Sequence, residues 1–207
     1  MTQEAKRDRR RQQLIEATID TIAERGLVGT TLAQVAKAAG VSYGVVGFYF
    51  RSKDALLRAT LDQLAADYEA VASRAAEKAG PSPAAKLVAI VEADFSAEVA
   101  QRRKIAAWTA FWSESRATPA FKQRCIELQD AYLALTGALC RSIVEAGGYA
   151  VDPQVAAAGL NAMVYGQWIE LQLRGSKLGR EQAKKPCLLY LKALFPDELA
   201  ALVRDAA

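Results

Sequence analysis

A chain of 207 residues, 52% of them hydrophobic, can hold one large domain or a small one fused to a medium one, and it can bury a sizeable core. It carries no histidine, which removes the commonest general base and metal ligand and any Ser-His or Cys-His nucleophile pair. The net charge of +4 is local: residues 1–60 hold ten Lys/Arg against six Asp/Glu, and the remaining seventeen of each cancel, so a basic module stands beside a neutral one, as phosphate binding requires.

Ala and Leu dominate and period-two β-branched runs are scarce, so the expected fold class is all-α. The first helix is predicted from about Ala5 to Arg25. Its apolar face is Leu14, Ile15, Thr18, Ile19, Ile22 and Ala23, and Gly26 stops it. Thr31 starts a second helix, with Gln34 in the capping-box position and Leu32, Val35, Ala36 and Ala39 as its buried stripe. Gly40 ends it. Ser42 can cap a short helix over Tyr43–Phe50, and Ser52 a fourth helix from Lys53 toward Ala79.

Gly80-Pro81-Ser82-Pro83 is the clearest break. Helices are then expected over Ala84–Val99, Arg102–Arg116, Ala120–Ala146 after a Thr118-Pro119 restart, Asp152 to about Leu173, and roughly Arg180–Leu194 before Pro196. The longest charge-free stretch, Pro153–Ile169, is too short and too polar to span a bilayer, and no apolar segment follows the Arg-rich start as in a signal peptide. A cytoplasmic protein is expected. Cys125, Cys140 and Cys187 are odd in number and widely spaced, which gives neither a disulfide framework nor a metal site.

The chemistry concentrates in Thr31–Phe50. A helix-turn-helix needs a small residue where two helices cross, a residue tolerant of left-handed φ in the turn, and apolar residues locking the second helix. Ala36, Gly40 and Val46 stand at that spacing, with Val41, Tyr49 and Phe50 closing the core. An ordinary helix pair with a glycine turn has the same spacing. The stretch TTLAQVAKAAGVSYGVVGFYFRSKDALL resembles the TetR family of one-component regulators in Thr31, the Ala39–Ser42 turn, Gly44, Tyr49-Phe50, Ser52-Lys53 and Leu56.

The resemblance implies a three-helix DNA-binding head, residues 1–52, on a helical ligand-binding and dimerisation bundle, residues 53–207. It further implies a ligand-responsive regulator, in all expectation a repressor, and no cofactor. Candidate DNA-binding residues are Thr31, Ser42, Tyr43, Gly44, Phe48, Tyr49 and Lys53. Thr31, Tyr49 and Lys53 suit phosphate contacts, which position the head, while Tyr43 and Phe48 can meet thymine methyls or backbone. The alternatives are a helix cap for Thr31, core packing for Tyr49, and a solvated face for Lys53. The Arg9-Arg10-Arg11 run is either a solvated start or a phosphate arm.

The second half holds all three tryptophans. Trp108, Phe111 and Trp112 share one helix face, and Tyr165 and Trp168 another. The segments AAWTAFWSES and GQWIE resemble the choline-sensing, BetI-type branch of the family. That implies a pocket for a quaternary ammonium lined by these five aromatics. A neutral apolar effector and plain core packing are the alternatives. Glu170 and Glu114 are the acids in view, but helix periodicity sets Glu170 about 200° from Trp168 and offsets Glu114 likewise from Trp112. Arg174 is the expected partner of Glu170.

A homodimer is expected through the last two long helices. Ala156, Ala157, Ala158, Gly159 and Ala162 permit close approach there, and Leu188, Leu191 and Leu194 form a stripe. Partners are thus double-stranded operator DNA, a small-molecule effector and a second copy, with no membrane. An enzyme is disfavoured: no GxxxxGK[ST] or GxGxxG loop is present, and Asp197-Glu198 sit in a Pro-broken tail. A helical adaptor without DNA readout would differ in lacking a steep salt slope of DNA binding.

Overall fold

The computed structural model describes residues 2–114 and 119–203. Every element among them is helical: α1 Gln3–Gly29, α2 Leu32–Ala38, α3 Tyr43–Tyr49, α4 Lys53–Lys78, α5 Pro83–Asp94, α6 Arg102–Glu114, α7 Pro119–Gly147, α8 Pro153–Arg174, a 3-10 turn Gly175–Lys177, α9 Arg180–Leu194 and α10 Pro196–Leu199. The expected end of α6 at Arg116 and the Thr118 part of the restart lie outside the described residues. The chain forms two compact units. One is Met1–Asp67 with Arg102–Cys125, the other Tyr68–Gln101 with Ile126–Ala207.

In the first unit, α1 buries the expected face, with Leu14, Ile15, Ile19 and Ile22 essentially inaccessible. Gly26 breaks the helical path at φ 70°, as its lack of a Cβ allows, but one more turn follows before Thr30. The sequence therefore located the interruption correctly and placed the helix end too early. Packing also joins α6 to α1 within this unit. Ion pairs decorate the seam: Arg103 reaches Glu16 at 2.7 Å and Asp20 at 3.2 Å, and Lys104 reaches Asp67 at 3.0 Å.

The capping box at Thr31 forms as its spacing predicts. The Gln34 N–H donates to Thr31 Oγ1 at 3.2 Å, and the Thr31 N–H donates to Gln34 Oε1 at 3.0 Å. Thr31→Ala is expected to cost about 1 kcal/mol of stability, read from the urea midpoint. Ser52 caps α4 by accepting from the Ala55 N–H at 3.1 Å. Ser42 takes the cap position of α3 with extended dihedrals, but its side chain makes no cap bond.

In the second unit, α8 packs on α9, and α9 on α5. Asp152 caps α8 by accepting from the N–H groups of Gln154 at 2.8 Å and Val155 at 3.1 Å. The helix expected to run to Val99 stops at Asp94 instead. The indole N–H of Trp168 donates to the Asp94 carbonyl at 3.1 Å and so satisfies an acceptor that a continuing helix would offer to residue 98. Ser96 then accepts from the Val99 N–H and closes a turn.

Candidate nucleic-acid interface and effector site

The helix-turn-helix is built as its spacing requires. Gly40 adopts φ 65°, a conformation that L side chains avoid, and the Val41 N–H closes the turn on the Ala36 carbonyl at 3.0 Å. Ala36, Val35 and Val46 are buried at the crossing, and Phe50 seals α3 from its far end. Two longer ties fix this pair to α1. Gln13 Nε2 donates to the Ala39 carbonyl at 2.8 Å, and the Arg11 guanidinium lies 5.7 Å from the centre of the Phe50 ring. One arginine of the Arg9–Arg11 run thus packs on the head itself.

With the inner face of α3 spent on packing, its outer face carries Tyr43, Gly44 and Phe48 into solvent. Phe48 is 72% exposed and Tyr43 60% exposed. Half-buried Tyr49 meets Phe48 edge-on at 5.3 Å. Ser42 and Thr31 are exposed nearby in the chain, and Lys53 donates from Nζ to the Val28 carbonyl at 3.1 Å. Lys53 therefore tethers the end of α1, with two further N–H donors on the same ammonium.

The aromatic face of α6 lies in the first unit. Trp108 and Trp112 stack with centroids 5.9 Å apart, and fully buried Phe111 meets Phe121 edge-on. Tyr165 and Trp168 belong to the second unit. There they accompany a residue that sequence reasoning passed over. Asp94 is 1% exposed, and its two carboxylate oxygens accept one hydroxyl each, from Tyr68 at 2.8 Å and Tyr132 at 3.0 Å. Burial pushes its carboxyl up to about 7, against the opposing pull of the two hydroxyl donors. Its signal was present in the sequence: Asp94 continues the buried Leu87, Ile90, Val91 stripe at helical spacing, where an acid is out of place.

Glu170, the acid first in view, pairs with Arg174 on the exposed side of α8 as expected. Cys125, Cys140 and Cys187 are buried free thiols, and burial raises Cys140 to about 11 and Cys187 to about 12, so neither offers a thiolate nucleophile. No group of three His, Cys, Asp or Glu among the described residues could hold a metal ion. None of the described helices is long and apolar enough to cross a membrane.

Comparison with known proteins fits this anatomy. The bacterial regulatory proteins of the tetR family match at residues 14–60, and the BetI-type transcriptional repressor C-terminal family matches residues 83–196. The chain belongs to the TetR family. The HTH-type transcriptional regulator BetI of Paraburkholderia xenovorans (strain LB400) is 36% identical over 186 residues, covering 89% of this chain and 93% of its own. A solved structure from Pseudomonas aeruginosa PAO1, described as a transcriptional regulator, shares 27% identity at a TM-score of 0.80 over 95% of each chain. A Saccharomonospora viridis protein solved in complex with choline shares the fold, at a TM-score of 0.74 and 18% identity over 88% of this chain and 95% of that one. These families and relatives are transcriptional regulators, not enzymes. This TetR-family member is accordingly a transcriptional repressor with a BetI-type C-terminal domain.

Proposed function

We propose that the chain is a homodimeric repressor whose 1–52 heads grip a near-palindromic operator and whose 53–207 body releases it on binding a small cationic effector. The observation that carries the reading is the pair of solvent-facing aromatics on α3, Tyr43 and Phe48, on the second helix of the helix-turn-helix in a basic head. Two large rings on the solvent side of one seven-residue helix give a partner an apolar surface to cover. Thymine methyls in a major groove are such a cover. Ser42 and Gly44 sit beside these rings and allow close approach of the DNA backbone. Thr31, Tyr49 and Lys53 take phosphates.

Phe48→Ala is expected to weaken specific binding by about 1–3 kcal/mol while leaving random-duplex binding near its original value. Lys53→Ala should weaken both alike and lower the salt slope by roughly one ion. Titration of fluorescent duplexes at several salt concentrations separates the two. Equal loss on both duplexes for Phe48→Ala would remove that ring from base readout.

Dimerisation is assigned to the outer face of α8, supported by a row of exposed residues, Val155, Ala158, Ala162, Gly166, Ile169 and Leu173, at three- and four-residue steps. Leu189 on α9 adds an exposed apolar side chain. This revises the stripe expected from sequence. Ala156, Ala157 and Leu191 are buried within the unit, and Gly159 is where Tyr190 of α9 packs. For the effector, a cation is supported by the aromatics Tyr165 and Trp168 in the second unit and by the choline held in the Saccharomonospora viridis relative of like fold. Trp108, Phe111 and Trp112 of the first unit are proposed as further effector contacts. Loss of choline binding in Trp112→Ala and Trp168→Ala checks them.

A further inference from the structure

A fully buried carboxylate needs a reason. Asp94 ends α5 inside the second unit: its carboxylate is faced by Tyr68 from α4 and Tyr132 from α7, and its backbone carbonyl by Trp168 from α8. Tyr165 of α8 acts electrostatically on Tyr68, and Cys187 of α9 is close enough to feel the charge on Asp94. The titratable groups that act on Asp94 and its two tyrosines, namely Tyr68, Tyr132, Tyr165 and Cys187, are all weak acids, and none brings a positive charge. The basic side chain nearest in the chain order of α9, Lys184, pairs instead with Glu92 and Glu181. If the role were only to join α4, α5 and α7, an amide would serve both hydroxyls, accepting from one and donating to the other, without the penalty of a buried acid. An acid held by two tyrosines, with an indole on its own backbone carbonyl, and short of one positive charge, is the complement of a compact cation with an apolar surface.

We propose that Asp94 is the anion that selects a positively charged effector, held in orientation by the hydroxyls of Tyr68 and Tyr132. The assignment rests on the effector reading above and deepens it: it names the residue that distinguishes a cation from a neutral molecule of the same shape. It also fixes the proton balance. An empty site holds the carboxyl partly protonated near neutral pH, since burial has raised it to about 7. A bound cation favours the carboxylate, so binding releases the proton from the Asp94 oxygen to solvent. No bond other than that O–H is broken.

The test uses the full chain and its operator duplex with three probes: choline, its neutral carbon isostere 3,3-dimethylbutan-1-ol, and octanoate. Choline alone is expected to dissociate the operator complex. Its affinity should rise about tenfold between pH 6 and pH 8, the change expected for one group titrating near 7. Calorimetry in buffers of different ionisation enthalpy should show net proton release at pH 6.5. Asp94→Asn should still bind operator, which reports folding, while its choline affinity falls by tenfold or more and approaches that for the isostere. Unchanged choline affinity in Asp94→Asn, or wild-type choline binding with neither proton release nor pH dependence, overturns the assignment. Operator release by the isostere or octanoate but not choline overturns the assignment and the cationic effector with it, while leaving effector-controlled release standing. Release by none of the three overturns both.

Discussion

Asp94→Asn is expected to make the protein more stable at pH 8 and to flatten the pH dependence of its unfolding. The sign follows from proton binding. The Asp94 carboxyl has an ordinary value of 3.8 when unfolded and one of about 7 when folded. Between those limits the native state holds the extra proton, so stability falls as pH rises through the window and is fully present only below it. At 1.36 kcal/mol per pH unit the group withdraws about 3 kcal/mol between pH 5 and pH 8. An asparagine keeps both tyrosine partners and has no charge to desolvate. Urea unfolding of wild type and variant at pH 5, 6, 7 and 8 should give curves that diverge with rising pH. Parallel curves would mean that Asp94 is already ionised in the native state.

Ala158→Arg should convert the dimer to a monomer and reduce operator affinity by on the order of 10²–10³-fold, because two heads joined in one particle bind with an effective concentration that separate heads lack. Ala158 is exposed in the protomer, so the arginine leaves the fold intact and acts only where a second copy would bury it. Leu191→Arg is the contrasting control. Leu191 is fully buried, and its replacement should unfold the second unit whatever the interface. Sedimentation and circular dichroism together distinguish the outcomes. A stable Ala158→Arg dimer would move the interface off this face of α8.

The head was almost fully legible in the sequence because its constraints are local. Thr31 with Gln34, Gly40 in a left-handed turn, and Ala36 against Val46 each act within a few residues, so spacing alone reveals them. The body was legible in its long helices, but not in the short α10 that Pro196 opens and not in its site. The donor that meets the end of α5 is Trp168, 74 residues away, and what covered Asp94 came from α4 and α7. Periodicity can place an acid on a buried stripe, but it cannot supply the partners that make burial tolerable. The exposed and buried sides of α8 were confused for a related reason. Ala156 and Ala158 are chemically alike, and only packing against α9 tells inside from outside. Likewise the join of α6 to α1 brings together residues far apart in the chain, such as Arg103 and Asp20 at a separation of 83, and so carries no local pattern.

Trp168 and Ile169 are neighbours in the chain, and α8 sets them about 100° apart. One points its indole at the Asp94 carbonyl; the other stands in the exposed row assigned to the second copy. A rigid helix cannot move one without the other. If Trp168 follows the end of α5 by a twist of 10° about the axis of α8, Ile169 and the whole row swing by the same angle, roughly 1 Å at a side-chain radius of about 5–6 Å. In a two-fold assembly both copies turn together, and a row that interdigitates with its mate has few registers to choose from. On the interface proposed above the helix would work as a camshaft: occupancy inside each protomer would set the angle at which its mate is held.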